Sequence, residues 1–130
     1  MTKRNKIIYW IATIWLALGM VSTGAVQLLK TKEGQGGLDT ITHLGYPVYI
    51  LTILGVWKFL GTIAILIPKF PLLKEWAYAG FFFMMTGAAF SHLASGDPLS
   101  ALFPALLLLI LTIVSLYFRP ADRKITINKI

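Results

Sequence analysis

Four long apolar stretches, split by short polar ones, occupy most of the chain: residues 7–29, 44–67, 76–94 and 99–118. Each is close to or above the roughly 20 residues a helix needs to cross the ~30 Å hydrocarbon layer of a bilayer. The pattern predicts an all-α protein: an integral membrane four-helix bundle in which residues 1–130 form one domain. The fourth stretch, LFPALLLLILTIVSLYF, is apolar on every side and is expected to face lipid broadly.

The ends of the stretches carry fitting punctuation. Trp10, Tyr46, Trp76, Tyr78 and Tyr117 fall near predicted interfaces, where amphipathic rings settle. Pro68 and Pro71 bracket a tight turn in PKFPLLKE, and Pro47 falls in the first turn of the second helix. Asp97 and Pro98 predict an N-cap and an N1 proline for the fourth. Lys3, Arg4, Lys6, Lys69, Lys74, Arg119, Arg123, Lys124 and Lys129 fall on one predicted side, against Lys30 and Lys32 on the other. That asymmetry predicts both termini in the cytoplasm. The first stretch has a basic start and small residues in STGA, as a signal peptide would. It runs on through Val26, Leu28 and Leu29, long enough for a retained span.

Composition agrees and narrows the chemistry. Of 130 residues, 57% are hydrophobic and 13% charged, where soluble domains average about 25% charged. Mean hydropathy is +0.75. The net charge of +7 does not suggest nucleic acid, because the basic residues flank apolar runs and form no basic face. The absence of cysteine excludes disulfides, thiolate metal sites and thiol redox chemistry within the chain. The segment KTKEGQGGLDTITH, residues 30–43, lacks the lysine–serine ending of a phosphate-binding loop and reads as a flexible connector. The two halves show no repeat, which disfavours a transporter.

Small residues recur where helices would touch. Gly19, Thr23 and Gln27 align on the first stretch, and Gly55 and Gly61 flank Lys58 on the second. On the third, Gly87, Ser91 and Ser95 form one stripe, and Gly80, Met84, Ala88 and His92 form the next. Helices in lipid associate through such close contacts, so helix packing is the expected role.

Lys58 breaks the pattern. It lies ten residues from Pro68, about 15 Å along a helix and so near the bilayer midplane. Lysine at that depth costs ~2.5–3.5 kcal/mol on insertion scales and marks a functional position by default. The five acids, Glu33, Asp39, Glu75, Asp97 and Asp122, all lie outside the cores of the spans. Lys58 must therefore be neutral, bond carbonyls, hydroxyls or water, meet an acid on a partner subunit, or receive a ligand. Helix rise brings His92 to the depth its ammonium reaches. Gln27, His43, Tyr46, Ser91 and Asp97 belong to the same outer half, and Trp57 adjoins Lys58. These residues predict a polar pocket between helices. His43, His92 and Asp97 carry no recognised metal spacing, so neither a metal site nor a haem is expected.

The pieces LGYP, LGVWKFLG, IPKFPLLKEWAYAGF and GAAFSHLASGD resemble the DoxX-like family of small bacterial membrane proteins, and the likeness spans nearly the whole chain. It implies a four-helix bundle in the bacterial plasma (inner) membrane, with Lys58, Glu75, Tyr78, Ser91, His92 and Asp97 at the polar positions of the motif. It also implies an association with quinones or with membrane oxidoreductase complexes. The expectation is a quinone-binding or redox-complex subunit, its enzymatic status open. The alternative is a non-enzymatic assembly or interaction subunit in which Lys58 pairs with a partner's acid.

Overall fold

The computed structural model describes residues 2–33, 36–120 and 123. Asp122, Lys124 and Lys129 lie outside the described residues. The fold is all helical among the described residues: α1 Lys3–Leu28, α2 Leu38–His43, α3 Ile50–Leu66, α4 Pro71–Ala94 and α5 Leu99–Tyr117. The four long helices touch in cyclic order, α1 on α3, α3 on α4, α4 on α5 and α5 on α1. Helices α1 and α5 are long and apolar enough to cross a membrane, and α3 is a shorter apolar helix of 17 residues.

Local signals account for most boundaries. Thr2 caps α1 by accepting a hydrogen bond from the Asn5 N–H at 3.1 Å. Pro71 opens α4 at the first helical position, where a missing N–H costs little. Lys69 and Phe70 take positive φ, 67° and 55°, to make the tight turn between α3 and α4.

Several expectations need correction. The second apolar stretch becomes helix at Ile50, six residues late, because Gly45 (φ 86°) and Pro47 hold the preceding segment in turns. The third begins at Pro71, five residues early. The connector is not structureless, since it contains α2. The N-cap of α5 is Pro98 and makes no side-chain cap bond; Asp97 binds histidines instead. Tyr78 is no interfacial ring. It is buried and its hydroxyl meets Ser115 Oγ at 2.7 Å.

The core lies on the line where the four helices meet. Leu16 and Met20 of α1, Ile65 of α3, Phe81 and Met85 of α4 and Leu108 and Leu111 of α5 fill it. Helix α5 buries one stripe (Leu102, Ala105, Leu108, Leu111, Thr112 and Ser115) and exposes Phe103, Ile110 and Tyr117. Glycines divide by environment. A Cβ at Gly55 would stand 2.6 Å from Leu28 Cγ and 3.0 Å from the Gly24 carbonyl oxygen, so bare glycine lets α1 and α3 approach closely. Gly61 serves Phe81 and Gly19 serves Leu108 in the same way. Gly80 and Gly87 have nothing within 4 Å, so the packing role expected of them is not what they do.

The end carrying the α3–α4 turn is closed by polar contacts. Lys74, fully buried, donates to the carbonyls of Ala64 (2.8 Å) and Ile67. Arg123 donates to the carbonyls of Ile65, Leu66 and Ile67 and stacks over Trp10, 4.9 Å from its centroid. The last carbonyls of α3 have no partner within the helix, and cations suit the negative end of its dipole. Arg119 pairs with Glu75. Deeper in, Ser115 Oγ lies 2.6 Å from Thr13 Oγ1, joining α1, α4 and α5 through one hydroxyl cluster.

Candidate functional site

The opposite end, beneath α2, holds a cavity of about 220 Å3. Its walls are mostly apolar, from Leu54 on α3, Met84 and Ala88 on α4, and Pro104 and Leu108 on α5. Of the residues expected to form a polar pocket, Lys58, His92, Tyr46, Ser91 and Gln27 line it. Asp97 and His43 are linked to it through His92. Trp57 is not a wall of this cavity. It is 58% exposed and faces a separate groove between α3 and α4 with Leu60 and Trp76.

Lys58 is only 4% exposed. Its stem crosses Gly24, where an added Cβ would come within 3.3 Å of Lys58 Cβ. The close α1–α3 crossing at Gly24 and Gly55 thus delivers the ammonium to the face of α1. There Nζ donates to Thr23 Oγ1 at 3.0 Å. The Thr23 hydroxyl hydrogen is already committed to the Gly19 carbonyl at 2.8 Å, so its oxygen is free to accept. Among the described residues no acid pairs with Lys58. Of the alternatives open to Lys58, a contact with a hydroxyl is present, and it carries no charge. The sequence places Thr23 only in a packing stripe. Its spacing of four from Gln27 was the available signal that both share one face.

Gln27 lies one turn further along α1 and is 3% exposed. Its Nε2 donates to the Gly36 carbonyl at 3.3 Å, while Oε1 is buried without a hydrogen-bond partner. Gly36 has φ 72°, and a Cβ there would lie 2.9 Å from Nε2, so only glycine lets the loop close over this amide.

Two side-chain links tie the α2 segment to the end of α4. Tyr46 Oη meets Ser91 Oγ at 2.5 Å. Ser91 gives its own hydrogen to the Gly87 carbonyl at 2.8 Å, so Tyr46 is the donor. Asp97 accepts from His92 Nδ1 at 2.7 Å with one oxygen and from His43 Nε2 at 2.6 Å with the other. These bonds, first His92 and then His43, hold the Asp97 carboxyl below its ordinary 3.8. An ionised Asp97 fixes the proton on His92 Nδ1, leaving Nε2 of the neutral ring as an acceptor. No cluster of three metal-ligating groups occurs among the described residues.

The sequence model of the DoxX-like family matches residues 11–114, which include α3 and α4, most of α1 and α5, and every lining residue named above. The chain belongs to the DoxX-like family. As a DoxX-like chain with apolar helices of spanning length it is a membrane protein. Comparison with curated proteins and with solved structures finds no match. The reading of this DoxX-like site therefore rests on its own geometry.

Proposed function

We propose that this DoxX-like protein is a multi-pass four-helix bundle of the bacterial plasma (inner) membrane, with both termini cytoplasmic, and that its cavity binds an apolar ligand bearing an oxygen acceptor, a ligand of the quinone class. The observation that carries this reading is Lys58: a buried ammonium, bonded to one neutral hydroxyl, beside a mainly apolar cavity. A charge so placed is costly, and a ligand oxygen that accepts from it offsets part of that cost. Lys58 donates to that oxygen, and His92, whose Nδ1 is held by Asp97, turns its other ring nitrogen to the cavity as an acceptor. Tyr46 and Ser91 close the mouth. The ring of helix contacts and the surplus of lysine and arginine at the α3–α4 turn end support the bundle and its orientation.

The alternative, a subunit that presents Lys58 to a partner's acid, has less support. Lys58 faces the interior among α1, α3 and the cavity, and the helix surfaces that a partner would meet carry Trp57, Leu60 and Phe83 instead. The test is binding of a short-chain benzoquinone to the purified protein in lipid nanodiscs. Lys58→Met is expected to weaken it at least about 10-fold and His92→Ala by less. Unchanged affinity in both variants rejects these roles.

A further inference from the structure

We infer that the cavity takes an amphiprotic apolar ligand, one that offers an acceptor oxygen to Lys58 and a hydroxyl hydrogen to Gln27, as a dihydroxybenzene does, in preference to a molecule carrying carbonyls alone. This rests on the ligand-pocket reading above and narrows it. The argument is a count of unspent hydrogen-bonding capacity. Three hydroxyl hydrogens at the cavity are committed: Thr23 to Gly19, Ser91 to Gly87 and Tyr46 to Ser91. Thr40 adds a hydroxyl that can turn either way. Lys58 has used one of its three N–H donors, so two remain for an acceptor.

The unspent acceptors are as well defined. Gln27 Oε1 is buried and unpartnered, and its amide cannot turn over without breaking the bond to the Gly36 carbonyl. His92 gives Nδ1–H to the Asp97 carboxylate, and when the ring carries only that proton its second nitrogen is an acceptor on a residue lining the same cavity. A quinone satisfies Lys58 and strands the Gln27 oxygen. A ligand with a hydroxyl satisfies both. Thr23, which holds Lys58, and Gln27 are four residues apart on α1, about 6 Å in rise. Two para oxygens on a six-membered ring have a comparable separation. A site built to bond a hydroxyl discriminates strongly against the analogue that lacks it, because its own buried group is then left unpaired.

Equilibrium binding in lipid nanodiscs, with empty nanodiscs as the control, tests this using trimethylhydroquinone, trimethylbenzoquinone and the dimethyl ether of the hydroquinone. Dithionite keeps the hydroquinone reduced and has no cysteine in this chain to act on. The hydroquinone is expected to bind about 10-fold more tightly than the quinone or the ether. Gln27→Leu should abolish the preference, so that the variant binds the hydroquinone and the quinone alike. Equal or tighter binding of the quinone or the ether to the parent protein overturns the inference and leaves the ligand-pocket reading standing. Retention of the full preference in Gln27→Leu also overturns it. No binding of any probe above empty nanodiscs overturns both. The comparison of probes on the parent chain decides the matter even where the variant does not fold.

Discussion

At the α3–α4 turn, Lys74 and Arg123 spend their N–H groups on the carbonyls of residues 64–67, and Tyr78, Ser115 and Thr13 close on one another. At the α2 end, Lys58 has one neutral partner and Gln27 Oε1 has none. Both ends bury a cation, yet they treat it differently. The cations at the turn satisfy a fixed demand of the backbone, since a helix always ends in carbonyls without partners. Lys58 answers no such demand, and the space beside it is open. A buried polar group that is fully matched stabilises the fold. One left partly matched next to a cavity is placed for a visitor.

This contrast can be broken by substitution. The largest expected effect is at Lys74. Lys74→Met keeps most of the volume and strips two carbonyls of a charged donor, for a loss of about 3 kcal/mol of stability by thermal denaturation in detergent. Ser115→Ala should cost about 2 kcal/mol in the same measurement, because it orphans the buried Tyr78 and Thr13 hydroxyls together. Lys58→Met should have the opposite sign or none. It removes a poorly compensated charge and exposes no carbonyl, so stability stays level or rises by about 1 kcal/mol. A loss comparable to that of Lys74→Met would erase the distinction between the two ends.

The smallest effect concerns pH. Asp97 has a folded pKa below its ordinary 3.8, so its contribution is complete above that value and fades as pH falls through the folded one. The difference in melting temperature between the parent and Asp97→Asn should therefore not shrink between pH 7 and pH 5. It should shrink only in more acid solution. Shrinkage already at pH 5 would mean that the two histidines do not hold the carboxylate as described.

The four long helices were legible because apolar runs and proline–glycine punctuation are local signals, and among the described residues α1 and α5 are the two long and apolar enough to cross a membrane. The uncompensated lysine was legible too, since five acids are few enough to place one by one. Other features were not. Tyr78 and Lys74 read as interface and loop residues because a single sequence does not reveal which neighbours close over a helix end. Thr13 and Ser115 carry no signal in the sequence, since weakly polar hydroxyls are common in apolar helices and matter only when they meet. Trp57 was misplaced because adjacent helical residues point about 100° apart, so its neighbour's inward direction excluded its own.

What the sequence by itself determined is composition in depth: which segments prefer lipid and where a charge interrupts them. Those preferences belong to each residue and its neighbours along the chain. The tertiary structure decided which polar groups are spent and which remain. That count depends on pairs such as Lys58 with Thr23 and Gln27 with Gly36, whose meeting requires the α1–α3 crossing at Gly24 and Gly55 and a loop closed over an amide. Hydrogen bonds are short and directional, so only the assembled helices fix their balance.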